Sequence, residues 1–139
     1  MSLSIRNQIP GTVTSITPGE AMATVKVRLD GGQDFTSAIT LDAVRELGLA
    51  TGSVVNALVK STEVALATGS VEGLSIRNRL PGTVSGLAVG AAMASVKVSV
   101  AGGELTAAIT KDAVDDLGLT VGSSVTALVK STEVSLAVG

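Results

Sequence analysis

Val25-Lys26-Val27-Arg28-Leu29-Asp30-Gly31-Gly32 is the stretch that decides the fold class. Apolar and charged residues alternate with a period of two, so an extended chain here has one apolar face and one polar face. Asp-Gly-Gly then supplies a hairpin-type turn, and Phe35 to Ile39 reads as the returning strand. Upstream, Gly11 to Ile16 makes another strand, entered through Pro10. Downstream, Val54 to Lys60 and Glu63 to Ala67 read as two more, joined by a tight corner at Ser61-Thr62. One helix interrupts, from Thr40 to Gly48: a Thr N-cap, the acid Asp42 in the first turn, a Gly at the end, and Leu41, Val44 and Leu47 on one face. Five or six short strands with one short helix predict an all-β fold, a small Greek-key barrel of OB-like type.

The whole pattern occurs twice. Ser4-Ile5-Arg6-Asn7 returns as Ser75-Ile76-Arg77-Asn78, and Lys60-Ser61-Thr62-Glu63-Val64 returns as Lys130-Ser131-Thr132-Glu133-Val134. Residues 4–33 match 75–104 at 17 of 30 positions, and 36–69 match 106–139 at 24 of 34. One residue is lost after the shared Gly-Gly pair, where a hairpin loop can shorten. Two tandem barrels are therefore expected, at 1–68 and 74–139, with 69–73 as a linker. Modules of this size have small cores for free-standing units, so self-association is expected.

Composition narrows the function. Phe35 is the one aromatic residue, and the apolar mass is Val, Ile, Leu and Ala. There is no Cys and no His, which removes disulfides, thiolate chemistry, the usual Zn, Cu and haem ligands and the commonest general base. The net charge of −2 argues against non-specific nucleic-acid binding, and the lack of stacking aromatics against a single-strand binder. The longest uncharged stretch, Leu80 to Val96, contains Pro81, Gly82, Gly86 and Gly90, so no membrane span is expected. Met1 to Pro10 carries Arg6, Asn7 and Gln8 where a secretory leader would be apolar. The expected setting is cytoplasmic, and the protein is not expected to be an enzyme.

The duplication filters the candidate residues. Basic residues present in both halves are Arg6/Arg77, Lys26/Lys97 and Lys60/Lys130, whereas Arg28 becomes Ser99 and Arg45 becomes Asp115. Lys26 and Lys97 lie between valines and read as a solvated strand face. Lys60 and Lys130 end an apolar run and are followed at once by Ser-Thr, placing an ammonium beside two hydroxyls at a strand corner. Ser4, Arg6 and Asn7 are all donors, and their return inside the chain at Ser75, Arg77 and Asn78 is not explained by a frayed terminus. Thr40 and Thr110 read first as N-caps, with the N–H groups of a helix start as a second reading. A tetrahedral dianion needs several donors and no nearby unpaired carboxylate. The retained acids Asp42/Asp112 and Glu63/Glu133 would then have to point away or pair with the cations.

Ser-Ile-Arg-Asn-x-[Ile/Leu]-Pro-Gly-Thr-Val, then Ala-Ile-Thr before a short helix, then Ala-Leu-Val-Lys-Ser-Thr-Glu-Val, resembles the Mop (molbindin) domain, in order and in both halves. The resemblance implies an OB-like fold and binding of molybdate or tungstate, with no other cofactor. It also implies homo-oligomers, trimers for tandem chains, with sites between subunits. Carried over residue by residue, the implied contacts are Ser4, Arg6, Thr40, Lys60 and Ser61, with Ser75, Arg77, Thr110, Lys130 and Ser131 in the second half. Backbone N–H groups near Ile5, Asn7, Ile76 and Asn78 are implied helpers. Related modules occur fused to DNA-binding regulators or transporter ATPases, but this sequence carries no Gly-x-x-x-x-Gly-Lys-Ser/Thr phosphate loop. The expected role is storage or buffering of the oxyanion. The alternative is a structural or oligomerisation module whose donor segments serve subunit contacts and bind no ligand.

Overall fold

A computed structural model describes all 139 residues. Strands β1 (Asn7–Pro18), β2 (Met22–Leu29) and β3 (Asp34–Thr40) form an antiparallel meander. Helix α1 (Leu41–Glu46) follows, β4 (Val54–Val59) returns beside β1, and β5 (Ala65–Ala67) ends the first half. The second half repeats this as β6 (Asn78–Val89), β7 (Met93–Val100), β8 (Gly103–Thr110), α2 (Lys111–Leu117), β9 (Ser124–Val129) and β10 (Ser135–Val138). The fold is all-β apart from these two helices and two 3-10 turns, in two curled five-stranded sheets. Within each sheet the fourth strand lies beside the first of a three-strand meander, which is the Greek-key order.

The last strands are exchanged. The first sheet runs β10-β4-β1-β2-β3 and the second β5-β9-β6-β7-β8. Thus β10 pairs with β4 (Leu136 opposite Ala57), and β5 pairs with β9 (Leu66 opposite Ala127). Each barrel is completed by a strand from the other half of the chain, so the sequence repeat and the barrel are different units. The seam of the first barrel is bonded where Ser37 Oγ, fully buried on β3, donates to the carbonyl of Val134 at 2.7 Å. The core crosses the repeat boundary as well. One cluster holds Val13, Val25, Val27, Phe35 and Val55 together with Leu80, Leu105, Ala127, Val134 and Leu136.

Local rules explain most elements. The burial of β2 alternates strictly along Met22–Leu29, with Ala23, Val25, Val27 and Leu29 inward. β1 is longer than expected and contains Pro10. Its pairing with β2 begins only at Gly11, so the missing N–H leaves no β2 acceptor unpaired, and the Pro10 carbonyl accepts from Asp30 N at 3.0 Å. Gly11 is required by close approach: a Cβ there would sit 2.6 Å from Val27 Cγ1 and 2.8 Å from the Arg28 carbonyl oxygen. The strand expected from Glu63 is shorter, because Ser61–Glu63 wind into a 3-10 turn, closed by Glu63 N donating to the Lys60 carbonyl at 2.9 Å. The expected apolar helix face is also corrected. Val44 is buried, but Leu47 is 37% exposed, and Leu49, beyond the left-handed Gly48, enters the core instead. The chain reverses too early for a third helical position to reach inward.

Candidate functional site

The two 3-10 turns, Ser61–Glu63 and Ser131–Glu133, carry the strongest candidates, and each turn packs beside the third strand of the opposite half of the chain. Strand exchange places the turns near each other, and two cavities open beside them. One, of about 140 Å³, is lined by Ile5, Leu58, Lys60, Glu63, Thr132, Glu133 and Ser135. The other, of about 330 Å³, includes Thr62, Glu63, Ile76, Ile109, Lys130 and Glu133 in its wall. Each cavity therefore pairs the lysine of one half with the donor segment of the same half (Ile5 with Lys60, Ile76 with Lys130) and adds residues from both turns.

The lysines are free cations. The chain contains two ion pairs, Arg28–Asp34 and Lys111–Asp115, and neither involves Lys60, Lys130, Arg6 or Arg77. Lys60 and Lys130 are exposed, held in extended backbone (φ −65°, ψ 141° at both) just before their turns. Ser61 Oγ is buried without a hydrogen-bond partner. The Ile5 and Ile76 carbonyls are tied back, accepting from Gln8 Nε2 at 3.1 Å and Arg79 Nε at 3.0 Å. These bonds engage acceptors that would otherwise repel an anion. Glu63 and Glu133 face both cavities and make no ion pair. They neither point away nor neutralise a lysine, so each cavity carries two carboxylates and one ammonium.

The other candidates are dispersed. Ser4, Arg6, Thr40, Ser61, Ser75, Thr110 and Ser131 line neither cavity. Thr40 and Thr110 are N-caps, accepting from Ala43 N and Ala113 N at 3.1 Å. The helix starts have few N–H groups left for a ligand, because Leu41 N and Lys111 N already donate to the Ala21 and Ala92 carbonyls. Arg77 and Asn78 border a separate depression over β2 and β3.

Asn7 and Asn78 have a role that sequence reasoning missed. Both side chains are buried. Asn7 Nδ2 donates to the Thr106 carbonyl and Oδ1 accepts from Thr106 N, both at 2.8 Å. Asn78 does the same to Thr36 on β3, at 2.8 and 2.7 Å. Each primary amide copies the donor–acceptor pair of a neighbouring strand and fastens the opposite barrel's third strand. The signal was present: a weak strand former kept in both halves at the first position of a long strand.

Comparison with known proteins places this geometry. The TOBE domain model matches the chain twice, over residues 3–66 and 74–136. The chain belongs to the TOBE domain family. It is 39% identical over 99% of its length to the molybdenum transport protein ModE of Herbaspirillum seropedicae, covering 52% of that protein. It is 42% identical over 96% of its length to the molybdenum-pterin-binding protein MopB of Rhodobacter capsulatus, covering 50%. The chain thus spans about half the length of these curated relatives. Among solved structures, the molybdate-bound crystal structure of the cytoplasmic molybdate-binding protein ModG matches with a TM-score of 0.97 and 41% identity, over 100% of both chains. The two TOBE matches together thus span a chain that corresponds end to end with that structure. No helix in the chain is long and apolar enough to cross a membrane.

Proposed function

We propose that this chain is a non-enzymatic cytoplasmic binder of molybdate, and of tungstate by the same donors, that stores or buffers the oxyanion. The observation that carries the reading is the full-length match to molybdate-bound ModG. It is supported by the two lysine-bearing cavities beside the exchanged turns. Lys60 and Lys130 supply the cationic charge, and Ser61 and Ser131 follow them in chain. The donor segments at Ser4–Asn7 and Ser75–Asn78 contribute backbone N–H groups and the side chains of Ser4, Arg6 and Ser75, whereas Arg77 borders a separate depression.

One chain does not gather enough donors in one place. A dianion withdrawn from water needs more than one ammonium beside two carboxylates, and Ser4, Arg6 and Thr40 stand outside the cavities. Residues of a second copy complete the shell in this reading, in a homotrimer with sites between subunits. A pocket built of fixed donors then rejects the smaller sulfate, because shorter reach leaves donors unpaired.

Native mass spectrometry with molybdate and, separately, sulfate tests all of this together. Discrete molybdate adducts on a trimer, absent with sulfate, are expected. Lys60→Ala and Lys130→Ala should each weaken molybdate binding about tenfold or more with an unchanged unfolding midpoint. An oligomer that takes up neither ion would overturn the binding reading and leave a structural module.

A further inference from the structure

A basic depression lies on the outer face of the first barrel, apart from the turn cavities. The depression, of about 520 Å³, is lined by Thr14, Lys26, Arg28, Asp34, Thr36, Arg77 and Asn78, with no apolar residue among them. Three cations face one carboxylate, and that carboxylate is already held by Arg28 Nε at 2.6 Å. Lys26 and Arg77 have no ion-pair partner. The backbone presets the spacing. Lys26 is paired with Thr36 across β2 and β3, and Arg28 with Asp34. The β1 register shifts between Val13 and Ser15, and Thr14 Oγ1 donates to the Lys26 carbonyl at 3.3 Å. Arg77 comes from the other half of the chain and is anchored by its neighbour, since the Asn78 amide is bonded on both sides to Thr36. The Lys26 ammonium, the Arg77 guanidinium, the Nη groups of Arg28 and the Thr36 hydroxyl are left to donate.

We propose that this face binds a condensed inorganic phosphate, a short linear polyanion. The space is larger than either lysine-bearing cavity, and several separated cations suit several linked anionic groups. The wholly polar lining offers nothing to a base or a hydrocarbon tail, which excludes nucleotides and phospholipids as preferred ligands. The second barrel provides an internal control. Its corresponding positions are Ser85, Lys97, Ser99, Glu104, Thr106, Arg6 and Asn7, so two cations remain where the first barrel has three, and Glu104 is engaged by Ser85 Oγ at 2.9 Å with no basic partner. The polyanion therefore binds once per chain, on the first barrel.

Isothermal titration of the full chain with tripolyphosphate at physiological salt tests this, with orthophosphate as the comparison. One tripolyphosphate per chain is expected, with orthophosphate much weaker. Lys26→Ala combined with Arg28→Ala should weaken it about tenfold or more and leave molybdate uptake unchanged. Ser99→Arg should add a second site on the other barrel, a gain that loss of folding does not mimic. Absence of binding, equal affinity for orthophosphate, or indifference to the double substitution would overturn the proposal. So would loss of tripolyphosphate binding in Lys60→Ala or Lys130→Ala, which would place the polyanion in the turn cavities.

Discussion

The two barrels share a backbone plan and differ in what lies on it. The turns Lys60–Val64 and Lys130–Val134 are identical in sequence, and the asparagine clamps match in every bond. These parts meet the other half of the chain. Away from the shared region the halves diverge, as with Arg28 against Ser99 and Arg45 against Asp115, while at the seam Ser37 against Ala107 drops a single bond and keeps the packing. The lesson is mechanical. A residue that fastens one half to the other has a partner on each side to satisfy, whereas a residue on an outer strand face answers mostly to solvent.

The comparison can be broken first at the exchanged strands. Leu136 is 9% exposed and belongs to the shared core, while Leu66, its counterpart, is only half-buried. Leu136→Ala should cost about 3 kcal/mol and Leu66→Ala clearly less, measured by urea unfolding. Hydrogen exchange should locate the Leu136→Ala loss in the first barrel, on β4, although the substitution lies in the second half of the sequence. Protection lost on β9 instead would contradict the exchange.

The clamps come next. Asn7→Ala and Asn78→Ala each strand a backbone N–H and a carbonyl on a third strand, at a cost of about 2 kcal/mol. Equal midpoint shifts for the two variants would confirm that the halves are equivalent where they join. A smaller effect follows at the seam: Ser37→Ala removes a single buried bond to the Val134 carbonyl and should cost about 1 kcal/mol. Ala is the residue the second half already holds at the corresponding position 107, so no clash accompanies it. Smallest is Arg28→Ser. It breaks an ion pair whose side chains are 55% and 75% exposed, and the unfolding midpoint should move by less than about 0.5 kcal/mol. If it moves more, the outer face is not as independent of the fold as the divergence implies.

Much of the site was legible in part. Lys60 and Lys130 stood out because an ammonium and two hydroxyls meet at a corner, and both line cavities. Thr40 and Thr110 are caps, as their position before the first helical turn predicted. Asn7 and Asn78 were read as backbone helpers, while their side chains are structural, because the strand each one clamps is about a hundred or forty residues away in sequence. Glu63 and Glu133 were recognised as charges needing an explanation. That they reach both cavities depends on the two turns lying close together, which no local pattern encodes.

From the sequence alone follow the duplication, the strand periodicity, the Asp-Gly-Gly hairpin turn and the helix caps, because each depends on residues within a few positions of one another. Only the tertiary structure decided where the last strands go. Ala65-Leu66-Ala67 and Ser135-Leu136-Ala137 present nearly the same edge, and β4 and β9 offer nearly the same partner. Local chemistry therefore scores pairing within a half and between halves alike. The choice rests on long-range contacts: the core that Leu136 enters, the Ser37 bond to Val134, and the two asparagine clamps that hold the halves side by side.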